Sequence, residues 1–270
     1  GRKRTKVCQM WLQSIDQRPW GGPAAPAVGY VFSESRSAAE VARQLARFSG
    51  TLHVDGYEAY KTLARLRAGD DRPIRLAFCL AHARRKFVDV HEATGSPTAL
   101  AVIEKIRAIY AIERRIRGRM PDERLTARRA ESAPLMAELK SLVVEVQEEI
   151  SRKSSLAKAI AYLLTHWDGL CVFLEDGRVE VDTNAVEREV KPVALGRRNS
   201  LFAGSSEGGE TWAVLSTLIN SAKLNGVDPL PWLTDVLDAV VTRRVTINEI
   251  HRLTPWAWAA ERQAELARAA

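Results

Sequence analysis

Asp182-Thr183-Asn184-Ala185-Val186-Glu187-Arg188-Glu189-Val190-Lys191-Pro192-Val193-Ala194-Leu195-Gly196-Arg197-Arg198-Asn199 is the stretch on which the reading of this chain turns. It sets one carboxylate, Glu187, near the start of a short helix and follows it with cations. A divalent ion such as magnesium takes hard oxygen ligands, and a phosphodiester takes cations, so the layout suits a metal held beside a nucleic-acid backbone. The same residues have a structural reading. Asn184 and Glu187 stand three apart, which is capping-box spacing.

The counterpart upstream is Thr51-Leu52-His53-Val54-Asp55-Gly56-Tyr57-Glu58-Ala59-Tyr60. A short apolar strand runs into an aspartate, a glycine turns the chain, and a helix-like pattern of Tyr57, Tyr60, Leu63 and Ala64 follows. The carboxyl end of a strand in an α/β sheet is where loops open and ligands sit. Asp55 in that place is also a plain helix or turn cap.

Four ordered blocks add a likeness to these two segments. They are the segment around Asp55, Cys79-Leu80-Ala81-His82-Ala83-Arg84-Arg85-Lys86-Phe87, residues 182–210, and residues 218–237. In this order they resemble the bacterial transposases of insertion-sequence family sixty-six, from about Arg2 to about Leu237. The resemblance implies an α/β chain with a ribonuclease-H-like mixed sheet core of the Asp-Asp-Glu type and a large all-helical insertion. It implies that Asp55 matches the second catalytic aspartate and Glu187 the catalytic glutamate, both ligands of magnesium or manganese. His82 is at most a neighbour of that site. Lys191, Arg197, Arg198, Arg84, Arg85 and Lys86 are the residues expected at DNA phosphates. In the family the first catalytic aspartate lies on a strand upstream of the segment matching residues 2–16, and helical and zinc-binding regions precede it. The expectation is therefore a core lacking its first strand and inactive alone. Asp16 matches a different position and is no substitute.

Composition agrees. The 270 residues are 46% hydrophobic and can bury a sizeable core. The net charge of +7 and pI near 9.5 favour polyanionic partners. No apolar run approaches the roughly 18 residues needed to cross a bilayer. Gly1-Arg2-Lys3-Arg4 has no apolar stretch after it, so no signal peptide is read there. Cys8, Cys79 and Cys171 are odd in number and far apart, which argues against a disulfide framework or structural zinc and for a reducing compartment. Cys79 reads as a buried strand residue. The expected setting is cytoplasmic and nucleoid-associated, with DNA (transposon ends and target) and further copies of the chain as partners.

Residues 6–15 and 27–33 read as strands joined by the loop Pro19-Trp20-Gly21-Gly22-Pro23. Ser37 caps a helix ended by Gly50, the strand carrying Asp55 follows, and a strand at 74–80 leads to a helix beginning near His82. Between 88 and 178 the pattern is helical throughout, with breaks near Gly118 and Pro121. Residues 104–131 carry nine Lys/Arg against five acids, net +4, either a solvated face or a DNA surface. Pro192 is expected to end the helix of Glu187, leaving 196–205 as a turn and extended segment. Gly208 and Gly209 are expected to precede a helix stopped by Asn225-Gly226, and Val227-Asp228-Pro229 opens the next. The division expected is 1–87 and 179–241 as two parts of the core, 88–178 as the insertion, and 242–270 as a helical tail.

Asp55 and Glu187 are expected close together at one end of the sheet. Facing carboxylates repel unless cations neutralise them, and two metal ions do so while activating the attacking oxygen and stabilising the leaving one. Two other classes stay open: a non-catalytic DNA-binding remnant, and a helical interaction protein whose Asp55 and Glu187 are only caps.

Overall fold

A computed structural model of the chain describes residues 6–199 and 203–269, without the side chains of 197–199, 266 and 269. The expected phosphate contacts of Arg197 and Arg198 lie outside the described side chains. In chain order the elements are β1 (Gln9–Ile15), β2 (Ala27–Ser33), α1 (Ala38–Gln44), β3 (Gly50–Val54), α2 (Glu58–Leu66), β4 (Ile74–Phe78) and α3 (Leu80–Thr94). Then come α4 (Pro97–Ile116), α5 (Pro121–Ala127), α6 (Ala133–Glu149), α7 (Ser155–Thr165) and α8 (Trp167–Leu170). The last are α9 (Asn184–Asn199), α10 (Ser206–Leu224), α11 (Pro229–Val241) and α12 (Pro255–Ala269). The protein is mixed α/β and mostly helical. It divides into two compact units, one of Gly1–Asp16, Pro23–Ser35 and Ala185–Ala270, the other of Gln17–Gly22 and Arg36–Asn184.

In the first unit β1 and β2 pair antiparallel, Gln9 opposite Ser33 and Ile15 opposite Ala27. The outer edge of β2 is taken by α10 rather than by a strand. Thr217 Oγ1 accepts from Tyr30 N at 2.8 Å, and Ser221 Oγ accepts from Val28 N at 3.2 Å and donates to Val28 O at 3.0 Å. Helix hydroxyls thus occupy backbone groups that would otherwise recruit another strand. Gly208 and Gly209 lie inside α10, not before it as the sequence suggests, and the close approach to β2 requires the glycine at 209. A Cβ at Gly209 would come within 2.4 Å of the Phe32 ring, and one at Gly208 within 2.2 Å of Ala203 O.

In the second unit β3 and β4 pair parallel, Gly50 opposite Ile74 and Val54 opposite Phe78, with α2 as the crossover. The described strands therefore form two two-stranded sheets in place of the single mixed sheet expected. The short strand pieces expected near 178–203 are not found among the described residues of that stretch. Val181 O accepts Leu80 N at 2.9 Å, a single bond rather than a ladder, and the chain is helical from Asn184. The largest core lies in this unit. Leu80, Ala83 and Phe87 of α3 bury against Val102, Ile106 and Ile109 of α4, with Leu139 and Val143 of α6 and Ile160 and Leu163 of α7. The 3.6-residue spacing of these apolar positions is what makes the region helical. Among the described residues no strand lies between 95 and 165.

Pro192 does not end its helix. Its missing N–H deprives the Arg188 carbonyl of a partner, yet α9 continues to Asn199. The next carbonyl, Glu189, accepts the Tyr30 hydroxyl at 2.6 Å, and Val193 packs on the Val28, Tyr30 and Ala213 cluster. Tertiary anchoring on both sides of the proline outweighs its helix-breaking tendency.

Two of the cations counted as surface are buried. Arg124 on α5 and Arg128, in a π-type turn at Arg128–Ser132, are 1% and 0% exposed and close on Glu113 of α4. Arg128 Nε and Nη2 donate to the two carboxylate oxygens at 2.8 and 2.7 Å, and Arg124 Nη2 to Oε2 at 3.2 Å. Neither a solvated face nor a DNA surface describes them.

Candidate functional site

Asp55 follows β3 directly and is exposed. Its Oδ1 accepts from Tyr57 N at 3.1 Å, so one oxygen closes the turn into α2. The backbone here is clasped from α7: Tyr162 Oη donates to Asp55 O at 3.2 Å. Gly56 holds φ at +94°, and a Cβ there would meet His166 Nε2 at 3.1 Å and Tyr162 Oη at 3.3 Å. Gly56→Ala is therefore expected to cost about 1–3 kcal/mol, from left-handed strain plus crowding. Urea unfolding with an unchanged midpoint would contradict this placement of the loop. Tyr60 stands beside the loop, its hydroxyl pushed up to about 12 by burial and by the Asp55 carboxylate.

The carboxyl end of β4 lies alongside. Cys79 is buried, and its Sγ accepts Thr183 N at 3.3 Å. Burial pushes the thiol up, but hydrogen bonds from His82 and Thr183 outweigh it and hold the group below the ordinary thiol range. His82, in the first turn of α3, is thus a partner of Cys79. Asp182 accepts Asn184 N at 3.0 Å, Asn184 Nδ2 at 2.7 Å and the Tyr110 hydroxyl at 2.8 Å. That phenol is pushed far up by burial and by the Asp182 charge.

His53 is legible in the sequence only as a strand residue. Its Nε2 is sealed from solvent without a hydrogen bond, and burial drives the ring down to about 4, partly offset by the Phe78 backbone and Asp182. A depressed histidine favours the folded state above its unfolded value near 6.5, and that advantage is lost as pH falls through 6.5 towards 4. The expected loss is about 3 kcal/mol over that window, from about 1.36 kcal/mol per unit. Unfolding free energies between pH 7 and 4 should show it, and His53→Phe should remove most of this slope. An unchanged slope in that variant would assign the acid sensitivity elsewhere.

Glu187 stands in the first turn of α9, partly buried, with exposed Arg188 and Lys191 on the same helix. Tyr30 fixes this helix. Its hydroxyl donates to Glu189 O and accepts from Asn220 Nδ2 at 3.0 Å, and it is pushed up to about 12 by burial first and the Glu189 charge second. Tyr30 was legible only as an apolar strand position. What it does for α9 has no local sequence signal.

The second unit brings Asp55, Cys79, His82 and the Arg84–Lys86 segment to the carboxyl ends of β3 and β4. The first unit carries Glu187 and Lys191 on one helix. Of the three basic residues on α3, Lys86 stands apart, its Nζ 4.5 Å from the centre of the Tyr162 ring.

These features define a mixed α/β protein with an acid at a strand end and a second acid at a helix start flanked by cations. The chain belongs to the IS66 transposase family. It matches the family description "Transposase IS66 family" over residues 1–211 and "IS66 C-terminal element" over residues 217–256. Among curated relatives, y4jD of Sinorhizobium fredii, called an uncharacterized protein, is 58% identical over 99% of this chain and 52% of its own length. Two others of that organism with the same description, y4qI and y4hP, are 43% and 36% identical, each over 95% of this chain and 48% of their own lengths. The chain thus spans about half the length of the curated relatives it matches. No solved structure matches it. Among the described residues no helix is long and apolar enough to cross a membrane.

Proposed function

We propose that the chain is the catalytic-core part of a DNA transposase of the Asp-Asp-Glu type, with Asp55 and Glu187 as two of its three metal-binding carboxylates. The observation that carries this is Asp55 at the carboxyl end of the first strand of a parallel β-α-β unit. An antiparallel pair precedes that unit in the chain, and a glutamate-bearing helix follows it. That order of elements is compatible with the part of a ribonuclease-H-like core that follows its first strand, and family membership points to transposition.

The donor set fits magnesium or manganese. Both candidates are carboxylates, and Asp55 spends one oxygen on Tyr57 N, leaving Oδ2 for a ligand. Bound there, the metal would supply charge neutralisation and activation of an oxygen nucleophile. The chain's own residues position. Tyr162 and Gly56 fix the Asp55 backbone, and Tyr30 fixes the helix of Glu187. Lys191, exposed on that same helix, supplies a cation for phosphate. The third carboxylate is expected in the part of the longer relatives that this chain does not cover. Residues 1–270 alone are accordingly expected to bind duplex DNA without cutting it.

The test is magnesium-dependent nicking of DNA carrying the element's ends, by a protein extended to the relatives' length. Activity abolished by Asp55→Asn and by Glu187→Gln supports the reading. Activity unaffected by either overturns it. Binding without nicking in the extended protein would favour a non-catalytic DNA-binding role.

A further inference from the structure

We propose that the groove between α3 and α4 is a contact for the sugar–phosphate backbone of duplex DNA, built by Arg84 and Arg85 together with Arg107 and Arg114. The proposal rests on the transposase reading for its ligand, but its residues are distinct from the metal-binding acids.

The groove is an open depression of about 500 Å³ lined by the four arginines together with Val88 and Tyr110. Its charge follows from helix periodicity. Arg107, Tyr110 and Arg114 stand three and four residues apart, one stripe of α4, while Ile106, Ile109 and Ile112 turn into the core. Arg107 and Arg114 are two turns apart, about 10 Å along the helix axis. Two cations at that separation on one wall, facing two on the other, suit an extended chain of phosphates better than a single compact anion.

The charge is also available. Arg84, Arg85 and Arg114 have no carboxylate within ion-pair distance among the described residues. Among the described residues Arg107 meets only Glu104, at 2.9 Å, in an exposed pair one turn away. Such a pair is worth little and yields to a phosphate. The nearby acid, Asp182, is already occupied by the Tyr110 hydroxyl and by Asn184. The other arginines of this stretch show the contrast. Arg115 is paired with Glu131, and Arg124 and Arg128 with Glu113.

Binding of the 270-residue chain to a fluorescent duplex of arbitrary sequence, titrated at several salt concentrations, tests this. Arg107→Ala/Arg114→Ala and Arg84→Ala/Arg85→Ala are each expected to weaken binding about ten-fold or more. Each should flatten the slope of log K against log salt by about 2, because each lost phosphate contact takes about 0.9 from it. Arg107→Glu/Arg114→Glu should bind more weakly still. The exposed cations Arg129 and Lys158, replaced together by alanine, serve as the control and should leave the slope near its starting value. Unchanged melting temperatures confirm that folding is intact.

Arginine pairs no more sensitive than the control would overturn the proposal. So would equal, groove-dependent binding of polyglutamate, which would make the partner an acidic polypeptide. Single-stranded DNA bound more tightly than duplex through the same residues would overturn the duplex assignment. If the extended protein fails to nick DNA while these slopes change as expected, the catalytic reading fails and the groove stands. Nicking with unchanged slopes gives the reverse.

Discussion

Glu113→Ala is expected to lower the unfolding free energy by about 3–5 kcal/mol, because breaking a buried ion pair strands a charge with no water to receive it. Here it strands parts of two. Arg128 would keep only the Phe173 and Asp176 carbonyls, at 3.1 and 3.2 Å. Arg124 would keep Glu180 as its charge partner, with its Nε and Nη1 already lacking partners. Glu113→Gln preserves the shape and one acceptor oxygen, so it should fall between the wild type and the alanine variant. The cost belongs to the uncompensated guanidinium rather than to lost volume. Glu113→Leu combined with Arg128→Met should therefore be more stable than Glu113→Ala, despite removing both charges. Urea denaturation of the four proteins decides it. A Glu113→Ala midpoint close to wild type would mean the network is not sealed from water as the structure has it.

That network marks where the sequence stopped being legible. Arg124 and Arg128 sit in a run of nine cations, and sequence spacing has no signal that separates a guanidinium folded inward from its exposed neighbours. The partner, Glu113, lies 11 and 15 residues away across a helix break. Pro192 failed for a related reason. Its local rule says that the helix stops, but the Tyr30 hydroxyl that accommodates the carbonyl of Glu189 comes from a strand 159 residues earlier. Gly209 reads as a helix breaker until the Phe32 ring of β2 is placed against it.

What was legible depended on local periodicity and turn chemistry. The strand at 27–33, the Ser37 cap on Glu40 N, the Asp228 cap before Pro229 and the helices from 97 to 165 fell within a few residues of expectation. Asp55 at a strand end was read from an apolar run followed by glycine. The strand and the positive φ of Gly56 are as that pattern requires. The expected single sheet was not obtained, since strand pairing over long separations has no local code. Side chains from α10 on the edge of β2 were likewise invisible to spacing.

Loss of either candidate carboxylate is expected to cut magnesium-dependent nicking by the extended protein at least about 10³-fold, since residues sharing one metal site act as a unit. The substitutions can be chosen so that the structural reading predicts the opposite result. Asp55→Asn keeps an oxygen able to accept Tyr57 N, and asparagine caps as well as aspartate, so its stability should stay within about 1 kcal/mol of wild type. A turn cap would therefore lose almost nothing in this variant, whereas a metal ligand would lose its charge and one donor. Asp55→Ala removes both the cap and the ligand, and should add a stability loss of about 1 kcal/mol to the same loss of activity. Asp55→Cys sharpens the distinction, because thiolate is a poor partner for magnesium and a better one for softer ions. Partial recovery of nicking with manganese, absent with magnesium, is expected for this variant and for Glu187→Cys. A residue acting only as a cap has no reason to change metal preference. Full activity of Asp55→Asn with magnesium would leave Asp55 as the residue that closes the turn into α2, and the catalytic role would have to pass to another acid.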